Sequence, residues 1–168
     1  CATYYGRNIC VKHIRENILR EFVSELTSRL TLNHIDGIVT TYGFCREPLT
    51  KKPLYIVSDT GPQTLVEYIK QVNVSFNEIV DILTQLLECI AQMHSMCWAH
   101  LGITPQHIIV IDKKFKLCGL DTATKIGSFP YEIQSDLWDY FGIYTAPEVI
   151  TGTYNANVDT YSVGIVMC

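Results

Sequence analysis

The stretch WAHLGITPQHIIVI at residues 98–111 decides how the rest of the chain is interpreted. A segment with one glycine and one proline leads directly into four β-branched residues, Ile108–Ile111. Glycine and proline favour a loop and β-branched residues favour a strand, so the stretch predicts a loop followed by a short strand. Residues 112–114 then predict a turn and residues 115–118 a second strand, after which residues 119–121 read GLD.

The composition limits the classes of protein to consider. With 168 residues and 48% hydrophobic content, the chain is long enough to bury the core of one domain or slightly more. The formal charge of −4 and the pI near 5.7 show no surplus of basic residues, which argues against nucleic-acid binding. No apolar run approaches the roughly 18 residues of a membrane span, so none is predicted in this segment.

The seven cysteines form no CxxC pair, and Cys89 and Cys118 lie within apolar patterns. The others are Cys1, Cys10, Cys45, Cys97 and Cys168. Without paired spacing, reduced thiols are favoured over a disulfide framework or a zinc site. This cysteine usage predicts a cytoplasmic protein.

The early part of the chain is rich in predicted strands around one helix. Residues 8–14 and residues 54–58 read as strands, and residues 38–45 are predicted to pair with the latter in an antiparallel hairpin. The Gly-Pro dipeptide at residues 61–62 then breaks the pattern, and helical periodicity follows it. The dipeptide is therefore predicted to be a joint between two lobes.

A helix is predicted over residues 16–32 because apolar residues recur every four positions. The stripe and the residues that widen it are Ile18, Leu19, Phe22, Val23, Leu26 and Leu30. Glu25 lies at the edge of this stripe and Arg29 falls within it. Arg29 also follows Glu25 at the i,i+4 spacing that favours an ion pair.

The helix after residue 75 has the clearest signature in the chain. Ser75 and, three residues later, Glu78 form a capping box. The apolar residues that follow on one narrow face are Ile79, Ile82, Leu83, Leu86, Ile90 and Met93. This stripe predicts core packing rather than a groove for a partner. Residues 122–145 are predicted to be irregular, and short helices are predicted at residues 146–150 and from residue 158.

The order of these parts resembles the eukaryotic protein kinase fold. Residues 9–12, ICVK, resemble the V-A-I-K strand, which implies that Lys12 corresponds to the phosphate-contacting lysine. Glu25 lies where the family's helix glutamate pairs with that lysine, and Asp59 ends a strand that resembles the one leading into the hinge. Residues 146–148 match the family's Ala-Pro-Glu.

Residues 158–166, VDTYSVGIV, resemble the D-V-Y-S-F-G-I-V run common in tyrosine kinases and the tyrosine-kinase-like group. The resemblance covers nearly the whole chain. It implies an α+β, bilobal protein-kinase-like fold, truncated at both ends. Residues 1–60 would be a partial N-lobe and residues 61–168 a partial C-lobe.

Several chemically active positions of the family are replaced. The catalytic motif H-R-D-x-K-P-x-N reads HLGITPQH at residues 100–107. Gly102 replaces the aspartate that receives the substrate proton, and Thr104 replaces the lysine. His107 replaces the metal-binding asparagine, and imidazole suits transition metals rather than Mg²⁺. Gly119 replaces the first aspartate of D-F-G, so the carboxylate that would hold Mg²⁺ is lost.

The resemblance and these replacements together imply a pseudokinase domain that acts as a protein-binding or allosteric scaffold in signalling. Its partners would be proteins or other domains of a longer chain, and no cofactor is required. Nucleotide binding is expected to be weak or absent. Lys12, Glu25 and Asp59 are the candidate nucleotide contacts, and any ATP bound there would lack Mg²⁺. A purely structural Lys12–Glu25 ion pair is an alternative role for those two residues. The enzyme alternative is a divergent protein kinase that uses displaced acidic residues such as Asp121 or Asp112.

The resemblance also predicts the role of His100. His100 corresponds to a histidine that packs and bonds to the backbone, so a structural role is predicted for it. A third interpretation of the chain is a nonfunctional or incomplete gene fragment. In that case the loss of the last helices would leave residues 163–167 as exposed apolar surface.

Overall fold

The computed structural model describes residues 2–4, 6–13, 19–46, 48, 53–127, 142–150 and 155–168. An antiparallel sheet has the order β1-β2-β4-β3 and consists of β1 (Ala2–Tyr4), β2 (Arg7–His13), β3 (Thr41–Arg46) and β4 (Pro53–Asp59). The pairing of β3 with β4 confirms the predicted hairpin. Helix α1, Leu19–Leu32, packs on this sheet through Phe22, whose ring meets Phe44 edge-on with centroids 6.1 Å apart.

The buried face of α1 differs from the predicted apolar stripe. Val23 and Leu30 belong to that stripe but are 54% and 52% exposed, while Leu26 is half-buried. The buried side chains of α1 include Phe22, Glu25, Ser28, Arg29 and Leu32. Polar side chains can be buried when other groups satisfy their hydrogen bonds, and α1 packs where such groups are available. Ile18 lies outside the described residues.

Two helices follow, and a capping box begins each of them. Helix α2, Leu65–Gln71, starts after Thr64, and helix α3, Phe76–Ser95, starts after Ser75 as predicted. The buried face of α3 consists of Ile82, Leu86, Cys89, Ile90 and Met93. Ile79, which was expected on this face, is exposed. Phe76 in the same first turn is also exposed, which indicates that this turn extends beyond the segments that cover the rest of α3.

Short strands connect segments that are distant in sequence. One sheet has the order β5-β7-β8 and consists of β5 (Gln63–Thr64), β7 (Ile108–Ile111) and β8 (Lys114–Leu117). The β7–β8 pairing confirms the predicted strand, turn and strand. A second pair joins β6, Trp98–Ala99, to β9, Thr124–Lys125. The prediction that residues 122–145 are irregular is therefore wrong at β9, because the pairing with β6 orders it.

The segment after α1 is tied to the β7–β8 hairpin. Ile38 forms a parallel bridge with Leu117, and the Val39 N–H donates to the Leu117 carbonyl at 2.9 Å. Ile38 and Leu117 belong to a buried cluster that also contains Leu86, Met93 and Leu120. This cluster positions the loops on either side of β7 and β8 against helices α1 and α3.

The last described elements confirm two predicted helices. They are α4 (Pro147–Ile150) and α5 (Asn157–Val166), and a 3₁₀ turn at Gly142–Tyr144 precedes them. Among the described residues, no helix is long and apolar enough to cross a membrane. Strand-rich and helical regions together give the predicted α+β class. The lobe boundary at residue 60 stays a prediction.

Candidate functional site

Lys12, Glu25 and Arg29 form an ion-pair triad between β2 and α1. The Lys12 ammonium nitrogen lies 2.9 Å from both carboxylate oxygens of Glu25. Nε of Arg29 donates to Oε1 of the same carboxylate at 2.8 Å, and Nη2 of Arg29 lies 2.8 Å from the same oxygen. Glu25 and Arg29 side chains are 6% and 7% exposed, whereas the Lys12 side chain is 42% exposed. Burial makes an unpaired charge costly, so Arg29 is the partner that stabilises Glu25 inside the fold.

Both expected pairings of Glu25 are therefore present at the same time. The Lys12–Glu25 pair joins β2 to α1 across 13 residues of sequence, and the Glu25–Arg29 pair lies within α1. Asp59 does not join them, because it pairs with Ile9 on β2 whereas Lys12 pairs with Ile56. A separation of three strand residues corresponds to roughly 10 Å. The carboxylate of Asp59 instead accepts from the backbone N–H of Thr60 at 3.2 Å.

A second contact connects α1 to the turn at residues 119–121. The Ser28 hydroxyl lies 2.9 Å from the carbonyl oxygen of Leu120 and 2.8 Å from that of Glu25, and it donates to one of them at a time. Ser28 and Leu120 are both buried. Ser28 is not among the site residues that the sequence predicts. The available signal was its position between Glu25 and Arg29, on the face that also carries Phe22 and Leu32.

Asp159 organises the loop that begins at His100. Its fully buried carboxylate accepts from the backbone N–H groups of His100 at 2.8 Å and Leu101 at 2.9 Å. His94 places its Nε2 2.9 Å from the same carboxylate. Leu101 has a φ of 62°, which is a left-handed conformation. This conformation is energetically unfavourable for a residue that has a side chain. The two backbone hydrogen bonds to Asp159 therefore hold the loop in a strained shape.

His100 has the structural role that was expected of it. The Gly102 N–H donates to Nδ1 of His100 at 3.2 Å, so the ring proton is on Nε2, which donates to the Cys118 carbonyl at 2.9 Å. Complete burial lowers the pKa of His100, partly offset by the negative charge of Asp159. A neutral ring that bonds the backbone at both nitrogens fixes the distance between the loop at residues 100–107 and the end of β8.

The replaced positions lie together around the ring of His107. Nδ1 of His107 lies 2.6 Å from the Gly102 carbonyl oxygen, which is an acceptor, so Nδ1 carries the proton and donates. The φ of Gly119 is 76°, and a β-carbon built there would lie 2.9 Å from both Cγ and Nδ1 of His107. Thr104 is buried, and its carbonyl accepts from the His107 backbone N–H at 2.9 Å. The structure thus brings Gly102, Thr104, His107 and Gly119 into one site.

This site does not suit Mg²⁺. Mg²⁺ takes oxygen ligands in octahedral geometry, usually including carboxylates. Gly102 and Gly119 supply no side-chain oxygen, and His107 supplies an imidazole. Within the described parts of the chain, no three or more His, Cys, Asp or Glu side chains gather as a metal-binding group.

The two displaced acids lie in different places. Asp121 is exposed and close enough to affect Cys118, whose pKa is raised to about 11 by burial first and by the charge of Asp121 among lesser causes. Asp112 lies in the turn between β7 and β8, with a φ of 48°. Asp112 lies five residues beyond His107, across the whole of β7, which corresponds to roughly 16 Å. Asp121 is therefore the better placed of the two.

Both the order of strands and helices and the lysine–glutamate pair between β2 and α1 agree with a protein kinase domain. Residues 3–168 match the family model described as "Protein kinase domain". The chain therefore belongs to the protein kinase family.

Individual relatives are distant in sequence. Calcium-dependent protein kinase 4 of Plasmodium falciparum is 27% identical over 173 residues, which cover 98% of this chain and 31% of the relative. Serine/threonine-protein kinase PknG of Mycolicibacterium smegmatis is 25% identical over 147 residues, or 86% of this chain and 18% of the relative. A probable serine/threonine-protein kinase, glkA of Dictyostelium discoideum, is 30% identical over 120 residues, or 70% of this chain and 25% of the relative. The chain spans a third or less of the length of each.

Proposed function

We propose that this chain is a pseudokinase domain that acts in signalling as a protein-binding or allosteric scaffold, with weak or no nucleotide binding. The observation that carries the proposal is the state of two positions, Gly102 and Gly119, which have no side chains where the family has a proton acceptor and a metal ligand. His107 bonds to the first and lies against the second. A general base alone contributes about 10²–10⁴-fold to a rate, and loss of metal chemistry adds to that deficit.

The contacts that remain support a role in binding. The Lys12–Glu25–Arg29 triad and the Ser28–Leu120 hydrogen bond hold α1 against the sheet and against the turn at residues 119–121. These contacts need no ligand, so the scaffold is organised before any partner arrives. Preorganised surfaces lose less entropy on association, which favours binding by a protein or by another domain of a longer chain.

The proposal also covers the cofactor, the location, the partners and the branch of the family. No cofactor is required, and any ATP that binds would contact Lys12 without Mg²⁺. The cysteine usage favours a cytoplasmic location, and the acidic net charge of −4 disfavours nucleic acid as a partner. The run at residues 158–166 favours the tyrosine-kinase-like group as the nearest branch of the family.

A phosphotransfer assay tests the proposal. The protein is incubated with ATP, Mg²⁺ and a generic protein substrate beside its Lys12→Met variant. We expect phosphate incorporation by the two proteins to be equal and at background, because the base and metal positions are already lost. Incorporation by the wild type that disappears in Lys12→Met would refute the pseudokinase assignment. Glu88→Gln, an exposed change on α3, controls for preparation differences.

The second candidate function is a divergent protein kinase that uses Asp121. It is favoured by the exposed position of Asp121 beside the turn where the metal ligand of the family lies. Thermal unfolding with ATP, with and without Mg²⁺, separates the two functions, because a ligand that binds only the folded state stabilises it. Mg²⁺-dependent stabilisation by ATP that is absent in Asp121→Asn would support the kinase. The scaffold proposal expects no Mg²⁺-dependent shift in either protein.

A further inference from the structure

Gly119 and His107 are in closer contact than a side chain at residue 119 would allow. A β-carbon there would lie 2.9 Å from Cγ and Nδ1 of the imidazole and 3.1 Å from Cδ2. Carbon atoms in packed proteins approach to about 3.5–4.0 Å, so these distances are overlaps. The ring of His107 therefore fills the volume through which any side chain at residue 119 would leave the backbone.

The ring cannot move aside at low cost. Cγ, one of the overlapping atoms, is bonded directly to the β-carbon of His107, so it moves only with χ1 or with the backbone. Rotation about χ1 would break the 2.6 Å hydrogen bond from Nδ1 to the Gly102 carbonyl. The backbone is held as well, because the His107 N–H donates to Thr104 and the His107 carbonyl accepts from Cys118, both at 2.9 Å.

We infer that His107 and Gly119 are a matched pair, in which the imidazole closes the divalent-metal position of this kinase-like site. Restoring a carboxylate by Gly119→Asp alone does not recreate a metal site, because the new side chain meets the ring. Recovery of the metal site requires a second change, His107→Ala, which removes Cγ, Nδ1 and Cδ2, the three atoms that overlap a side chain at residue 119. The inference rests on the proposed function, since that proposal gives these two positions the metal-binding roles of the family.

A double-mutant cycle with an internal control tests this pair. Gly127 has a φ of 82°, close to the 76° of Gly119, but a β-carbon at Gly127 would meet nothing within 4 Å. Gly127→Ala therefore reports the cost of the left-handed backbone alone, which lowers the folding equilibrium constant on the order of tenfold. Gly119→Ala carries the same cost and the overlap with His107. We expect Gly119→Ala to be worse than Gly127→Ala by on the order of a further tenfold or more.

The excess is expected to disappear when His107 is alanine. Chemical unfolding of the full protein is measured for Gly119→Ala and Gly127→Ala in the wild-type and His107→Ala backgrounds. If Gly119→Ala alone fails to fold and His107→Ala/Gly119→Ala folds, that rescue equally supports the pair. Equal costs for the two glycine substitutions in the wild type, or an excess that persists in His107→Ala, would overturn it.

A metal titration gives a second, independent readout. Thermal unfolding with ATP and Mg²⁺ or Mn²⁺ is expected to show metal-dependent stabilisation in His107→Ala/Gly119→Asp and none in Gly119→Asp. Metal-dependent stabilisation of Gly119→Asp alone contradicts the inference, as does its absence from a folded His107→Ala/Gly119→Asp protein. Phosphotransfer by the wild type would refute the proposed function but would not change the result of the double-mutant cycle. The failure of the inference and the failure of the proposed function are therefore distinguishable.

Discussion

Replacing Glu25 by glutamine tests which cation of the triad supports the fold. Glutamine preserves the volume of the side chain but removes the charge that Arg29 faces at 2.8 Å. Arg29 is 7% exposed, so its guanidinium would be left as an uncompensated buried charge, which costs about 3–5 kcal/mol. Lys12→Met leaves Glu25 paired with Arg29, and the Lys12 side chain is 42% exposed. Solvent screening then limits the cost of Lys12→Met to about 0–1 kcal/mol.

The assay is urea denaturation of the wild type, Glu25→Gln and Lys12→Met, with Glu88→Gln as a control that removes one carboxylate charge from an exposed site on α3. We expect the free energy of unfolding to fall in the order Glu88→Gln, Lys12→Met, Glu25→Gln, with a wide gap before the last. For a domain of this size, the loss of about 3–5 kcal/mol in Glu25→Gln corresponds to a melting temperature lower by about 6–20 °C. If Lys12→Met is as destabilising as Glu25→Gln, the assignment of Arg29 as the supporting partner is refuted.

Three other predictions concern the loop, a buried histidine and two thiols. Asp159→Asn replaces one acceptor oxygen by a donor that faces the His100 N–H. We expect the free energy of unfolding, measured by urea denaturation, to fall by about 3 kcal/mol. A fall of less than about 1 kcal/mol contradicts this prediction. Burial lowers the pKa of His100 below its usual 6.5, so the unfolded chain binds a proton there that the folded chain does not. The stability that the neutral His100 contributes is therefore complete above pH 6.5 and declines as the pH falls below that value. An imidazole NMR signal of His100 that titrates at its ordinary pKa would disprove the shift. Burial raises the pKa of Cys89 to about 12, so its reactive thiolate is scarce at pH 8. We expect iodoacetamide at pH 8 to alkylate exposed Cys97 before Cys89, as measured by mass spectrometry. Equal labelling of the two thiols in the folded protein would contradict this prediction.

Local features of the chain were predictable because they depend on neighbours in sequence. The capping box of Ser75 and Glu78 and the buried face of α3 follow from spacings of three and four residues. The box of Thr64 and Glu67 has the equivalent S/T-x-x-E signal and could have been found in the same way. The β-branched run Ile108–Ile111 predicted a strand, and the replacements at Gly102 and Gly119 were visible directly.

Contacts between distant segments were not predictable from such patterns. Leu30 belongs to the apolar stripe of α1 but is exposed. The helix instead buries a polar face, because Lys12 pairs with the charge of Glu25 and the Leu120 carbonyl accepts a hydrogen bond from Ser28. The Ser28–Leu120 bond spans 92 residues, and no local periodicity encodes it.

The family resemblance, the local strands and helices and the missing side chains at Gly102 and Gly119 can all be seen in the order of the amino acids. That His107 occupies the volume beside Gly119, and that Arg29 as well as Lys12 neutralises Glu25, emerges from the packed fold. Excluded volume and buried charge depend on distances between atoms. Those distances are set when the hairpin, the loop and α1 pack together, after the local pattern has chosen each element.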